Sequence, residues 1–216
     1  MRKPMGMDFQ DTYEALLEST RLPESVVFDV LYRYFERIRV YHSECHLRRI
    51  VQYVSDHKLT LTQAQAIAIL FHDAVYIPFA PEGHNEELSA LLLRVMLARE
   101  DVAETVRIVA EQIVRDTATH IPTIPESALV LDLDLLGLAD SYETLQADSK
   151  MVYEELAPVI GTWEQYTEKR AAFFKHLLGR PKILHSRELE HMEGKLRENL
   201  TRSIDEFIQT DNTNND

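Results

Sequence analysis

The sequence predicts an all-α protein, a helical bundle with additional helices towards its C-terminus. Three observations carry the class. Apolar residues recur at three- and four-residue steps along most of the chain, the period of an amphipathic helix. Only six glycines and eight prolines are present, and they cluster as punctuation between long elements rather than as turns between many short strands. The one alternating run, Leu129-Val130-Leu131-Asp132-Leu133-Asp134-Leu135, is short and reads equally well as the start of a helix.

The elements follow in order. Val26, Val27, Val30, Leu31, Tyr34, Phe35 and Ile38 share one helical face over residues 24 to 38, with Pro23 just before it. The aromatic set Tyr32, Tyr34 and Phe35 reads as core or partner contact. A second helix is expected from about Ser43 to Asp56, with Ile50, Val51 and Val54 inward. A third begins after Thr60 or Thr62. It is apolar nearly all round, which predicts the buried central helix. Pro78, Pro81 and Gly83 make Tyr76 to His84 a loop. Asn85 is then expected as an N-cap, with Glu86 and Glu87 in a first turn where the helix dipole favours negative charge. That helix runs to about Ala98. Asp101 opens the next, with Val102, Val106, Val109, Ala110, Ile113 and Val114 inward, until Pro122 and Pro125 break the chain. Residues 128 to 147 read as one or two helices interrupted near Gly137. Residues 148–157, 163–178 and 187–208 read as further helices. Residues 1–209 are thus expected as a single helical domain and the polar stretch 210–216 as a disordered tail.

Composition sets limits on function. Of 216 residues, 45% are apolar and 27% charged, ordinary for a globular protein. The formal net charge is −13, which repels nucleic-acid backbones and anionic membranes. Neither stable nucleic-acid binding nor membrane association is expected. A small phosphorylated substrate, a nucleotide among the candidates, is not excluded, because a metal ion reverses the local field. Cys45 is the single cysteine, so no internal disulfide forms, in keeping with a reducing compartment. Nothing near Cys45 activates it, and it reads as a small core residue. The longest apolar stretches fall short of the ~20 residues a bilayer needs, and Met1-Arg2-Lys3-Pro4-Met5-Gly6 lacks an apolar core behind its basic residues. A cytoplasmic protein without a signal peptide is expected, with a homodimer left open.

Four segments place ionisable groups inside apolar helical stretches: Tyr41-His42-Ser43-Glu44-Cys45-His46, Phe71-His72-Asp73-Ala74-Val75-Tyr76, His84-Asn85-Glu86-Glu87-Leu88-Ser89-Ala90, and Leu131-Asp132-Leu133-Asp134-Leu135-Leu136-Gly137. His42 and His46 are four apart and share a helix face. Burying unpaired charges costs several kcal/mol or neutralises them, so several such sites in one chain call for a shared cause. A bound divalent cation is the simplest. Mixed nitrogen and oxygen donors suit Mn²⁺, Fe²⁺, Co²⁺, Ni²⁺ or Zn²⁺ better than Ca²⁺ or Mg²⁺.

The order of a histidine, a His-Asp pair and a distant aspartate resembles the HD superfamily of metal-dependent phosphohydrolases. More narrowly, the four segments look like a subfamily of predicted HD phosphohydrolases, over about residues 30 to 205, with Thr117-x-x-His120, Gly179-Arg180 and Arg197-x-Asn199-Leu200 further along. The chain departs from that pattern in Ser-Glu-Cys between its first two histidines and in the insert from Ile77 to Gly83. The resemblance implies that His42, His72, Asp73 and an acid of the 132–134 pair hold the metal. Asp134 is favoured, because Leu135, Leu136 and Gly137 follow it as in related patterns; Asp132 is the alternative, or else orients a ligand.

As a hydrolase, the chain would place Asp73 in the reacting centre, Glu86 as general base or holder of water, and His46 as a substrate contact or a ligand to a second metal. His120 and Arg180 are candidate phosphate contacts. Plainer roles stand beside these: first-turn dipole stabilisation for Glu86, an ordinary structural histidine for His46, surface or capping roles for His120 and Arg180. His57, His176, His185 and His191 read as surface residues. Two rival functions follow from the same residues, a di-iron oxygenase and a non-catalytic nucleotide-binding regulator.

Overall fold

A computed structural model of the chain describes residues 8–213, with side chains through Phe207. Among the described residues there are α-helices and short 3₁₀ turns and no strand. The alternating run at 129–135 is helical: it lies in the helix Ser127–Leu135, where seven of the nine residues are buried, so no strand-like exposed face remains. No helix is long and apolar enough to cross a membrane.

Helix α1 (Phe9–Thr20) has no counterpart in the sequence reading. Asp8 and Asp11 cap it reciprocally, each side chain accepting from the other's backbone N–H at 3.0 and 3.2 Å. Its buried stripe is Thr12, Leu16 and Thr20. Two of those three are threonines, which hides the apolar period. Thr20 is tolerated inside because its hydroxyl donates to the Leu16 carbonyl at 2.6 Å.

Helix α2 (Glu24–Arg33) stops short of the expected Ile38. Phe35 and Ile38, read as inward, are 54% and 53% exposed, and Tyr32 is exposed as well. The chain leaves the helix so that Arg39, whose side chain is fully buried, can donate to three carbonyls: Asp73 at 2.6 Å, His42 at 3.2 Å and Ala74 at 3.3 Å. This guanidinium ties the His42 turn to the end of the central helix.

Helices α3 (Glu44–Asp56) and α4 (Gln63–Phe71) follow as expected. Thr62 and Gln65 form a capping box at the start of α4, and every residue from Ala64 to Phe71 is buried. Helix α5 (His84–Met96) begins one residue before Asn85, on Gly83 at φ 75°. Asn85 therefore does not cap it. Its amide instead accepts from the Ile77 N–H at 3.0 Å and donates to the Ile77 carbonyl at 3.2 Å, closing the loop before it. Helix α6 (Glu104–Asp116) starts a turn later than Asp101.

Helix α7 (Ser127–Leu135) runs into a 3₁₀ turn, Leu136–Ala139. Helix α8 (Tyr142–Ile160) then passes unbroken through the boundary expected between 147 and 148. The true break is at Ser141, whose hydroxyl accepts from the Thr144 N–H at 3.2 Å. Helices α9 (Trp163–Leu178) and α10 (Glu193–Thr213) complete the chain. Helix α10 continues through Thr213, into the stretch expected as a tail from Thr210; residues 214–216 lie outside the described residues. Cys45, expected in the core, is exposed on α3.

One apolar core runs from Leu16 to Ile204. Helix α4 is its axis, packed against α1, α2, α3, α5, α6 and α7. Helices α8, α9 and α10 pack on one another and join this layer through the 136–139 turn. The ionisable segments meet where α4 ends, between the two layers.

Candidate metal centre

Four elements converge on one point. His46 lies in the first turn of α3. His72 caps the C-terminus of α4 and Asp73 follows it. Asp134 is in the last turn of α7, and His120 sits in the connection after α6 with φ at 50°. His46, His72 and Asp134 present ligand atoms that all lie within 4.8 Å of one another, and the two histidines are buried. Asp73 adds an oxygen 3.2 Å from His72 Nε2 and 3.9 Å from His46 Nε2.

The hydrogen bonds fix what these atoms can do. His72 Nδ1 donates to the Ile69 carbonyl at 2.8 Å, so in the neutral ring the Nε2 lone pair faces the cluster. That Nε2 stands 3.3 Å from His46 Nε2, and His46 Nε2 is 3.0 Å from Asp134 Oδ1. The other Asp134 oxygen meets His120 Nε2 at 3.0 Å. Two ring nitrogens and two carboxylates this close repel unless positive charge lies among them. Protons supply it in the metal-free molecule. Burial opposes charge on His72, yet the Asp73 and Asp134 carboxylates raise its pKa to about 9. Burial likewise pushes Asp134 up, but hydrogen bonds from His120 and His46 and the His72 charge hold it well below the usual carboxylate range. Asp73 is raised by burial but held low by His72 first, and by His42 and His46. A divalent ion satisfies the same charge requirement by displacing those protons. The donor set, buried neutral nitrogens with anionic oxygens, fits a metal.

His42 is not in the tight group. Its Nδ1 is 2.5 Å from Glu155 Oε1, and its ring stacks on Tyr76 with centroids 4.5 Å apart. The second Glu155 oxygen accepts from the backbone N–H groups of Val40, Tyr41 and His42 at 2.8, 3.0 and 3.1 Å. A carboxylate on Nδ1 leaves Nε2 as the ring's acceptor, the arrangement that orients histidine ligands. His42 lines the same cavity as Asp73 and Asp134. His46, read as a substrate contact or second-ion ligand, takes the place in the tight group that the sequence reading gave to His42.

Asp132 points elsewhere. Two residues apart on one helix, Asp132 and Asp134 face different sides. Asp132 is fully buried and accepts from the His185 N–H at 2.7 Å, the Ser186 N–H at 2.6 Å and the Ser186 hydroxyl at 2.5 Å. Burial raises its pKa and these three donors oppose the rise. It anchors the 183–186 segment and is not a ligand of the cluster. Asp132→Ala should cost about 2–4 kcal/mol, since three buried donors lose their acceptor. Metal content per folded molecule should stay unchanged. Urea denaturation with elemental analysis of the soluble fraction checks both, and loss of metal without loss of stability would contradict this placement.

A cavity of about 160 Å³ opens beside the cluster, lined by Tyr41, His42, Asp73, Glu86, Thr117, His120 and Asp134, by Leu135, Leu138, Val152 and Phe173, and by Arg170. Glu86, in the first turn of α5, sits on its wall. Burial raises the Glu86 pKa, its own backbone N–H opposes that, and Asp73 raises it further. Arg180 does not reach this cavity. Its guanidinium donates to the carbonyls of Thr119 at 2.9 Å and His120 at 3.2 Å, and so holds the turn that carries His120.

The sequence reading missed Arg39, Glu155 and Arg170. Each is one charge among several on an amphipathic stretch, and only distant partners give it meaning. The one sequence-level hint is Arg170 directly before the apolar run Ala171-Ala172-Phe173-Phe174. No protein-family model matches the chain, and neither curated proteins nor solved structures gave a match.

Proposed function

We propose that the protein is a metal-dependent phosphohydrolase of the HD type, acting on a nucleotide or a related small phosphate ester. The observation that carries this reading is the buried His46–His72–Asp134 group, with Asp73 at its edge, opening onto a cavity walled by Glu86, His120 and His42. A bound Mn²⁺, Fe²⁺, Co²⁺, Ni²⁺ or Zn²⁺ would supply Lewis acidity towards a phosphoryl oxygen and acidify water.

The chain's own residues do the rest. His46, His72, Asp73 and Asp134 hold the ion, and His42, oriented by Glu155, completes the donors on the cavity side. Glu86, its carboxyl made more basic by burial, accepts the proton of the attacking water. His120, held by Asp134 through Nε2 and by the Arg180-held turn, would as the imidazolium donate from Nδ1 to a phosphoryl oxygen. Leu135, Leu138, Val152 and Phe173 keep bulk water from the reacting centre.

The test is elemental analysis after reconstitution with each metal, run beside phosphate release across nucleotides and simple phosphate esters. Stoichiometric metal with phosphate release from at least one ester is the expected result. Full metal occupancy with no release from any ester would overturn the hydrolase. One observation favours a second reading: His42 and His120 bring further nitrogen donors beside the tight group, enough for two ions. Two irons per chain with an O₂-dependent optical band would support a di-iron oxygenase instead.

A further inference from the structure

Arg170 is the sole lysine or arginine among the residues lining the cavity beside the cluster. It comes from α9, a different layer from the metal-holding residues. Its Nε is buried and meets no hydrogen-bond partner. Its guanidinium rests on two rings instead, 4.7 Å from the centroid of Phe174 and 5.5 Å from that of Phe173. Those contacts hold the group in place without occupying its donors.

The other arginines near the site behave differently. Arg39 and Arg180 donate to carbonyls, and Arg49 forms a bidentate pair with Asp148. Arg180 Nε is likewise buried without a partner, but its two terminal nitrogens are engaged at the His120 turn, away from the cavity. The chain carries 36 acidic residues against 23 basic ones, so a carboxylate partner for Arg170 was easily available to this sequence. A buried donor without an acceptor is unfavourable. Its position on the cavity wall, with the metal cluster on the same cavity, gives it an acceptor only when an anion enters.

We infer that Arg170 is the anion anchor of this site, and that it receives a terminal phosphate group. The inference rests on the phosphohydrolase reading for the chemistry but not for the binding. A guanidinium fork engages two oxygens of one phosphate. A phosphomonoester has three non-bridging oxygens, enough to satisfy the fork and still offer one to the metal side. A phosphodiester has two and leaves one side unsatisfied. The cavity of about 160 Å³ is small beside the ~300–1,000 Å³ of sites that enclose a drug-sized ligand. It therefore encloses the phosphate and the first atoms of its ester, with the remainder outside. The substrate class is a phosphomonoester, selected by its terminal phosphate.

The experiment is calorimetric titration of inorganic phosphate into Co²⁺-loaded and metal-free protein, comparing the wild-type chain with Arg170→Gln and Arg170→Lys. Metal content is measured on each sample. Arg170→Gln should weaken phosphate binding about 10- to 100-fold, the scale of losing hydrogen bonds to a charged group, with metal content unchanged. Arg170→Lys, which keeps the charge and the stem, should fall between and serves if the glutamine variant does not fold. If ester hydrolysis is detected, KM for phosphomonoesters should rise more than kcat falls. Equal phosphate affinity in wild type and variants, or no phosphate binding by the wild type, overturns the anchor. Phosphate binding that depends on Arg170, with no ester hydrolysed, leaves the anchor standing and removes the hydrolase.

Discussion

Asp134→Ala should reduce retained metal from stoichiometric to below about a tenth of that, and phosphate release by about 10³-fold or more, some 4 kcal/mol of barrier. Asp134 is hydrogen-bonded to two histidines of the site, meeting His46 with one oxygen and His120 with the other, both at 3.0 Å. Removing it takes an anionic donor from the proposed metal centre and frees His120 at once. The His46 and His72 nitrogens would remain 3.3 Å apart with less negative charge to balance a cation. Asp134→Asn separates charge from shape, since it keeps the volume and one acceptor oxygen. It should lose most of the metal while its helical circular dichroism matches the wild type. Undiminished metal in Asp134→Asn would show that the ion, if any, is held elsewhere.

Glu155 carries the second large effect, and the two substitutions there should differ in kind. Glu155→Ala strips the acceptor from three backbone N–H groups and from His42 Nδ1. The loss should be about 4 kcal/mol, with each of the four partly buried donors contributing ~1 kcal/mol. Glu155→Gln keeps one oxygen for the backbone but turns a donor towards His42. The ring would then have to accept at Nδ1 and carry its proton on Nε2, where it cannot bind a cation. Stability should fall little, while metal affinity falls about 10- to 100-fold, as for other groups that orient ligand histidines. Thermal unfolding and competition against a metal-binding dye measure the two quantities separately. Equal metal affinity in Glu155→Gln and wild type would remove His42 from the donor set.

The amino-acid sequence by itself determined the helical class, because apolar residues at three- and four-residue steps allow no other way to bury them. It also placed the central helix, since Ala64–Phe71 is apolar nearly all round, and it marked His42, His46, His72, Asp73, Glu86, Asp132 and Asp134 as ionisable groups inside apolar stretches without saying which of them meet. It could not place α1, whose inward face is mostly threonine. Nor could it end α2 correctly, because the stop is imposed by Arg39 reaching carbonyls of residues more than thirty positions away.

Only the tertiary structure decided between Asp132 and Asp134. Both sit among leucines on one helix, and each is explained only by what faces it: Ser186 for the first, three histidines for the second. The same holds for Arg180 and Arg170. The sequence pointed to Arg180 as the phosphate contact, whereas the packing gives the Arg180 guanidinium the Thr119 and His120 carbonyls to bind and puts Arg170 on the wall of the cavity. Local pattern fixes periodicity and burial, which are properties of neighbours along the chain. The role of a charge depends on groups brought beside it from elsewhere, and that information exists only once the chain has folded.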